Sequence, residues 1–126
     1  MIYPKHWNKE MIASLESIKT ELKSGKVLDV GAGSGLTEKL FENSDFEWTG
    51  IDYKPRDSDH VSGGGHRIKY GGETKVIHGD AHDLQFGDKT FNLVISIACF
   101  EHLHSPWVAI KEINRVMTNN SYFFGT

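Results

Sequence analysis

The chain has 126 residues, 38% hydrophobic and 25% charged, the composition of an ordinary globular protein, and its length suits one domain. A net charge of -3 gives no electrostatic case for nucleic acid or an anionic membrane as partner. No apolar run approaches the roughly 20 residues needed to cross a bilayer. The start, Met1-Ile2-Tyr3-Pro4-Lys5-His6, lacks the apolar core of a secretory leader, and Cys99 is the single cysteine, so an internal disulfide is excluded and a reducing cytoplasm is the expected setting.

Pro4 discourages an early helix. From about Trp7 to Lys23, Trp7, Met11, Leu15, Ile18 and Leu22 recur every three or four residues, which predicts an amphipathic helix. Ser24-Gly25 closes it, Gly25 suiting a left-handed cap. Val27-Leu28-Asp29-Val30 then reads as a short buried strand that breaks into a loop with glycines at 31, 33 and 35. A helix is predicted from about Gly35 to Asn43, with Leu36, Leu40 and Phe41 inward. Strand, glycine turn and helix start form a nucleotide-binding geometry: glycine lets a ligand approach the main chain, and helix N–H groups face an anion. The dinucleotide fingerprint Gly-x-Gly-x-x-Gly requires glycine at 36, where Leu36 stands. A carboxylate at Asp29, ahead of the turn, repels pyrophosphate and suits a cationic amino group.

Val27–Gly35 resembles motif I of the class I S-adenosylmethionine-dependent methyltransferases, of the type 11-like kind. The resemblance implies S-adenosylmethionine as cofactor, held by Asp29, Gly31, Ala32, Gly33 and Gly35. The N-terminal helix is expected to pack on the sheet; that Tyr3, His6 and Trp7 also cover the cofactor pocket, as the N-terminal segment often does in the family, stays open.

Phe46–Ile51 is the second predicted strand, with Asp52 at its C-terminal end, placed to accept hydrogen bonds from both ribose hydroxyls of a nucleoside. S-adenosylmethionine and NAD make the same demand there. Tyr53 is placed to lie against the adenine. Residues 54–72 have five glycines, one proline and no apolar stripe, where the family has a crossover helix. A mobile lid, a flexible connection and a hairpin with Ile68 and Tyr70 on one face all remain open. Thr74–Gly79 reads as the third strand. Asp80-Ala81-His82-Asp83-Leu84 after it resembles the family's Gly-Asp-Ala signature, which implies that Asp80 bonds the adenine amino group and the Ala81 N–H a ring nitrogen. His78-x-Asp80-x-His82 also spaces metal-ligand types at alternate positions, but nothing nearby completes a coordination sphere and no metal is expected.

Phe91–Cys99 is a continuous apolar run, the expected fourth and central strand. Asn92 stands where the family has Asp. The resemblance places Ser96 and Ile97 at the methionine end of the cofactor, and Cys99 reads as a small buried residue. Phe100-Glu101-His102-Leu103-His104 resembles the family's Leu-Glu-His-Leu segment beside the transferred methyl group. His102 is the candidate catalytic base, with Glu101 and His104 as neighbours able to serve; a structural role for His102 at the strand end stays open. Ser105 is the expected N-cap and Pro106 the first turn of a helix that buries Ala109, Ile110, Ile113, Val116 and Met117. Asn119-Asn120 is a predicted turn and Ser121–Gly125 the fifth strand.

The expected fold is a single α/β domain over residues 1–126. It is a Rossmann-like, open, mostly parallel sheet with flanking helices, for which the resemblance implies the order 3-2-1-4-5, shortened at the C-terminus and without the family's last two strands. The resemblance spans residues 26–126 and implies methyl transfer from S-adenosylmethionine to an acceptor expected to be a small molecule. A non-catalytic S-adenosylmethionine-binding module that needs a partner is the alternative. An NAD enzyme is a third reading, opposed by Leu36 and Asp29. The apolar end Tyr122-Phe123-Phe124 predicts a homodimer or a partner protein covering an open fifth strand.

Overall fold

The computed structural model describes residues 7–53 and 76–126. The expectations for Tyr3, His6 and the segment 54–72 lie outside the described residues. Helix α1 (Lys9–Leu22) begins at Asn8, whose side-chain oxygen accepts the Met11 N–H at 2.8 Å. Its predicted stripe points inward: Leu15 is buried, and Trp7, Ile18 and Leu22 pack around it. The helix closes at Lys23 (φ 67°), whose N–H returns to the Lys19 carbonyl at 2.8 Å. The left-handed cap expected at Gly25 therefore falls two residues earlier.

Gly25 instead opens strand β1 (Gly25–Val30) at φ 137°. A side chain there would collide with Asn92, whose Oδ1 accepts the Lys26 N–H at 2.8 Å. That single bond uses an oxygen that Asn and Asp both carry, so Asn92 keeps the contact its family counterpart could make.

The remaining strands are β2 (Phe46–Asp52), β3 (Ile77–His78), β4 (Phe91–Ser96) and β5 (Met117–Gly125), with helix α2 (Pro106–Val116) before the last. Their order is β3-β2-β1-β4-β5, as the resemblance implies, and each of these pairings is parallel, where a mostly parallel sheet is expected. Successive residues of the inner strands alternate between two cores. On one face Leu28, Val30 and Val94 meet Ala109, Ile113 and Val116 of α2. On the other, Val27, Leu93 and Ile95 meet Leu15 of α1 with Leu40 and Phe41.

Four local expectations change. The helix predicted over Gly35–Asn43 is a 3₁₀ turn, Leu36–Phe41, and it buries Thr37, Leu40 and Phe41 rather than Leu36. A three-residue repeat stacks Thr37 above Leu40 on one side, and Asn43 (φ 54°) ends the run. Strand β4 stops at Ser96, because Ala98 takes φ 51°. In α2, Ile110 stays 47% exposed while Ala109, Ile113 and Val116 are buried. Strand β5 begins at Met117 without the turn expected at Asn119-Asn120. Those residues sit in an irregularity where Phe91 pairs with Met117 but Leu93 pairs with Tyr122. Arg115 fixes α2 to the preceding loop: its guanidinium donates to the Leu84 and Phe86 carbonyls, to Asp88 and to both oxygens of Glu112 at 2.8–2.9 Å.

Candidate functional site

A cleft of about 590 Å³ opens at the C-terminal ends of the strands, within the range of small-molecule sites and at the place where parallel α/β sheets bind ligands. Its walls come from four connections. Gly31 and Gly33 follow β1, Asp52 and Tyr53 end β2, Asp80 to His82 follow β3, and Ala98, Cys99 and His102 to His104 follow β4.

The glycine loop continues the sheet before it turns. The N–H groups of Gly31 and Ala32 both donate to the Ile51 carbonyl at 2.9 Å. Gly31 (φ 76°) passes under Cys99, and a Cβ there would lie 2.5 Å from the Cys99 sulfur. Gly33 (φ 57°) has the opposite surroundings: apart from its chain neighbours, no atom of the described residues lies within 4 Å of where its Cβ would stand. That space belongs to the cleft. The Gly33 N–H donates to Asp52 Oδ2 at 2.9 Å, so the carboxylate at the end of β2 also shapes the loop. Tyr53 is 65% exposed, with its ring centroid 5.6 Å from that of His78.

Asp29 takes a different place from the one its pattern suggests. It is 2% exposed, it does not line the cleft, and its carboxylate accepts the Thr37 hydroxyl. Thr37 in turn accepts the Trp48 indole N–H at 2.9 Å. Burial pushes the Asp29 carboxyl up to about 7; the Thr37 bond opposes the rise and the nearby Asp52 charge adds to it. Ala32, Gly35, Ser96 and Ile97 also do not line the cleft. Gly35 (φ 79°) launches the 3₁₀ turn, Ser96 is buried with its hydroxyl donating to the Val30 carbonyl at 2.9 Å, and Ile97 packs on the face of α1.

Asp80 and Ala81 are both in the wall. Asp80 Oδ1 accepts the His82 backbone N–H at 2.9 Å and meets His82 Nδ1 at 2.7 Å, and these bonds hold its carboxyl below the ordinary range. The His82 ring lies parallel to that of His104, centroids 4.0 Å apart. His102, the predicted base, lines the cleft with a side chain 78% exposed, and its Nε2 is 3.7 Å from the Glu101 carboxylate. Cys99 lies closer in, and burial raises its thiol, which keeps it a protonated packing group. Among the described residues no three His, Cys, Asp or Glu side chains gather as metal ligands. Sequence reading passes over His82, Leu103 and Cys99 as wall residues. The nearest signal is the position of His82 two residues beyond Asp80.

The sequence model of a methyltransferase domain matches residues 28–125. The chain belongs to the class I S-adenosylmethionine-dependent methyltransferase family. Ajmaline N-methyltransferase of Rauvolfia serpentina is 35% identical over 104 residues, covering 80% of this chain and 35% of that protein. A chloroplastic 2-methyl-6-phytyl-1,4-hydroquinone methyltransferase of Oryza sativa is 30% identical over 122 residues, covering 93% of this chain and 35% of that one. The chain thus spans about a third of the length of either relative. The crystal structure of the PH0226 protein from Pyrococcus horikoshii superposes with a TM-score of 0.63 at 29% identity, over 98% of this chain and 60% of that one. The YcgJ protein of Bacillus subtilis has the same fold, with a TM-score of 0.67 at 24% identity over 92% of this chain and 49% of that one.

Proposed function

We infer that this methyltransferase-family chain binds S-adenosylmethionine in the cleft and serves methyl transfer to a small-molecule acceptor. The observation that carries the reading is the space that the described residues leave open over Gly33, beside the two carboxylates Asp52 and Asp80 at the ends of neighbouring strands. That space is where a side chain would block a ligand from the main chain, and the carboxylates suit a ligand that brings hydroxyl, amino and cationic groups. In this reading Asp52 takes the ribose hydroxyls, Asp80 the adenine amino group and the Ala81 N–H a ring nitrogen. Tyr53 lies against the base, and Gly31 and Gly33 offer main chain to the remainder.

Bound S-adenosylmethionine supplies a methyl group on a positively charged sulfur, so the protein need form no covalent intermediate. The work left to the chain is orientation, which can lower such a barrier by several kcal/mol (about 7–11 in favourable cases). His102, exposed at the cleft, is the candidate to take a proton from an O–H or N–H acceptor. Asp29 acts behind the wall: with Thr37 it stiffens the turn that carries Gly33, and it adds negative charge to the cofactor side when ionised. A cytoplasmic setting belongs to the same proposal and is supported by the lone cysteine. Among the described residues no helix is long and apolar enough to cross a membrane.

Calorimetry with S-adenosylmethionine, S-adenosylhomocysteine and NAD tests the reading. The first two should bind and NAD should not. Asp52→Ala should weaken both by at least about tenfold, the value of a hydrogen bond to a charged group. Binding of NAD alone would overturn the proposal, and undiminished affinity in Asp52→Ala would remove Asp52 from it.

A further inference from the structure

His82 has two ring nitrogens, and both are engaged by groups from different walls of the cleft. Nδ1 lies 2.7 Å from Asp80 Oδ1, and Nε2 lies 3.3 Å from the backbone N of Ser105, the residue that begins α2. A backbone N–H can only donate, so Nε2 is the acceptor and the ring proton sits on Nδ1, facing the carboxylate. The side chain is 14% exposed, and His104 covers its ring face at 4.0 Å. His104 Nδ1 is itself 2.8 Å from the Ser105 hydroxyl, which is therefore drawn to the ring instead of capping α2. Asp80, His82, His104 and Ser105 thus form one connected unit between the β3 connection and the β4–α2 connection.

We propose that His82 is a positioning residue that locks Asp80 to the start of α2, so that a nucleoside held by Asp80 also orders the segment carrying His102 and His104. The proposal rests on the cofactor reading above, in which Asp80 meets the adenine amino group. Both His82 contacts fall on Oδ1, and the other carboxylate oxygen is the one that amino group meets. A ligand that restrains Asp80 restrains His82, and His82 restrains the Ser105 N–H. The coupling is reciprocal, as any such linkage must be. Its value for methyl transfer is that the histidine-bearing segment is held more firmly when the cofactor is in place.

Two measurements on the whole chain test it. In the ¹⁵N-labelled wild type, long-range proton–nitrogen correlation at pH 8 should show a neutral His82 ring protonated at Nδ1. A ring protonated at Nε2 would overturn the lock. Amide exchange then reads the coupling, with S-adenosylhomocysteine as probe. Saturation should slow exchange of the Ser105 amide by about tenfold in the wild type. His82→Asn retains a donor for Asp80 but cannot reach Ser105. It should still bind the probe, weakened by no more than the roughly tenfold coupling, yet leave Ser105 exchange unresponsive. His82→Gln can reach Ser105 but not Asp80 as well, and should lose about tenfold in affinity, the size of one hydrogen bond to a charged group. Equal protection of Ser105 in His82→Asn, or wild-type affinity in His82→Gln, would overturn the proposal. Failure of the wild type to bind the probe would instead sink the cofactor reading, and the wild-type tautomer would still decide whether the lock exists.

Discussion

A carboxyl group at Asp29 is held in a place where its ionised form is disfavoured, and this has a definite sign. Its folded-state value of about 7 lies above the ordinary 3.8, so between roughly pH 4 and pH 7 the folded chain holds a proton that the unfolded chain has released. Stability from this group is complete below pH 4, falls as pH rises, and is lost above about 7. The whole effect is at most about 4 kcal/mol. Asp29→Asn, which keeps an oxygen for Thr37, should remove this slope and be more stable than the wild type at pH 8. Urea denaturation at pH 5 and pH 8 checks it; an identical pH dependence in both proteins would show that Asp29 ionises normally. The two loop glycines make a second pair of predictions. Gly31→Ala drives a Cβ into Cys99 at positive φ and should cost about 1–3 kcal/mol of stability. Gly33→Ala meets nothing among the described residues, so it should cost only about 1 kcal/mol. It should weaken S-adenosylhomocysteine binding, because the new methyl group enters the cleft.

Among the elements, the sheet was legible because β1 and β4 are largely apolar runs and β1 and β2 end at a glycine and a carboxylate. The run from Phe91 is expected to reach Cys99 and ends at Ser96, whereas Val27–Val30 needs no knowledge of its neighbours to be recognised. The same holds for Gly33, Asp52, Asp80 and Ala81 as wall residues, since each follows directly from the end of a strand. What was not legible depends on pairs distant in sequence. Thr37 captures Asp29 because the turn is 3₁₀, and His104 stacks on His82 because α2 starts beside the β3 connection. Gly25 looked like a cap, but its positive φ serves the close approach of Asn92. The extra residues of β5 gave no signal, as Asn119-Asn120 reads equally as a turn. Arg115 makes one element-level prediction. Arg115→Met leaves the Leu84 and Phe86 carbonyls without their donor and Glu112 without its cation, so the melting temperature should fall. Loss of the Glu112 partner should also bring its carboxyl up from its lowered value. An unchanged melting temperature would show that solvent replaces the guanidinium at no cost.

For the molecule as a whole, β5 is the outermost strand on its side of the sheet among the described residues, and Phe123 is 39% exposed beside Phe100. A strand with one unpaired edge is a template for another chain. The chain of 126 residues should therefore associate through β5 as its concentration rises, and Phe123→Lys should keep it monomeric while leaving S-adenosylhomocysteine binding intact. Light scattering over a concentration series decides this, and a monomer throughout would reject the interface.

The central place of β1 between β2 and β4 governs how the chain comes together. Lys26 and Asn92 touch across 66 positions, and the Ser96 hydroxyl reaches Val30 across the same span. Closing such a loop costs entropy before any pairing returns it, so folding should be slower than in a helical protein of this size. During synthesis the apolar faces of β1 and β2 leave the ribosome well before Leu93, Val94 and Ile95 exist to cover them. The nascent chain should then be prone to aggregation until β4 emerges. A fragment ending at Thr90, with both early strands but no inner neighbour for them, should show no cooperative unfolding by circular dichroism.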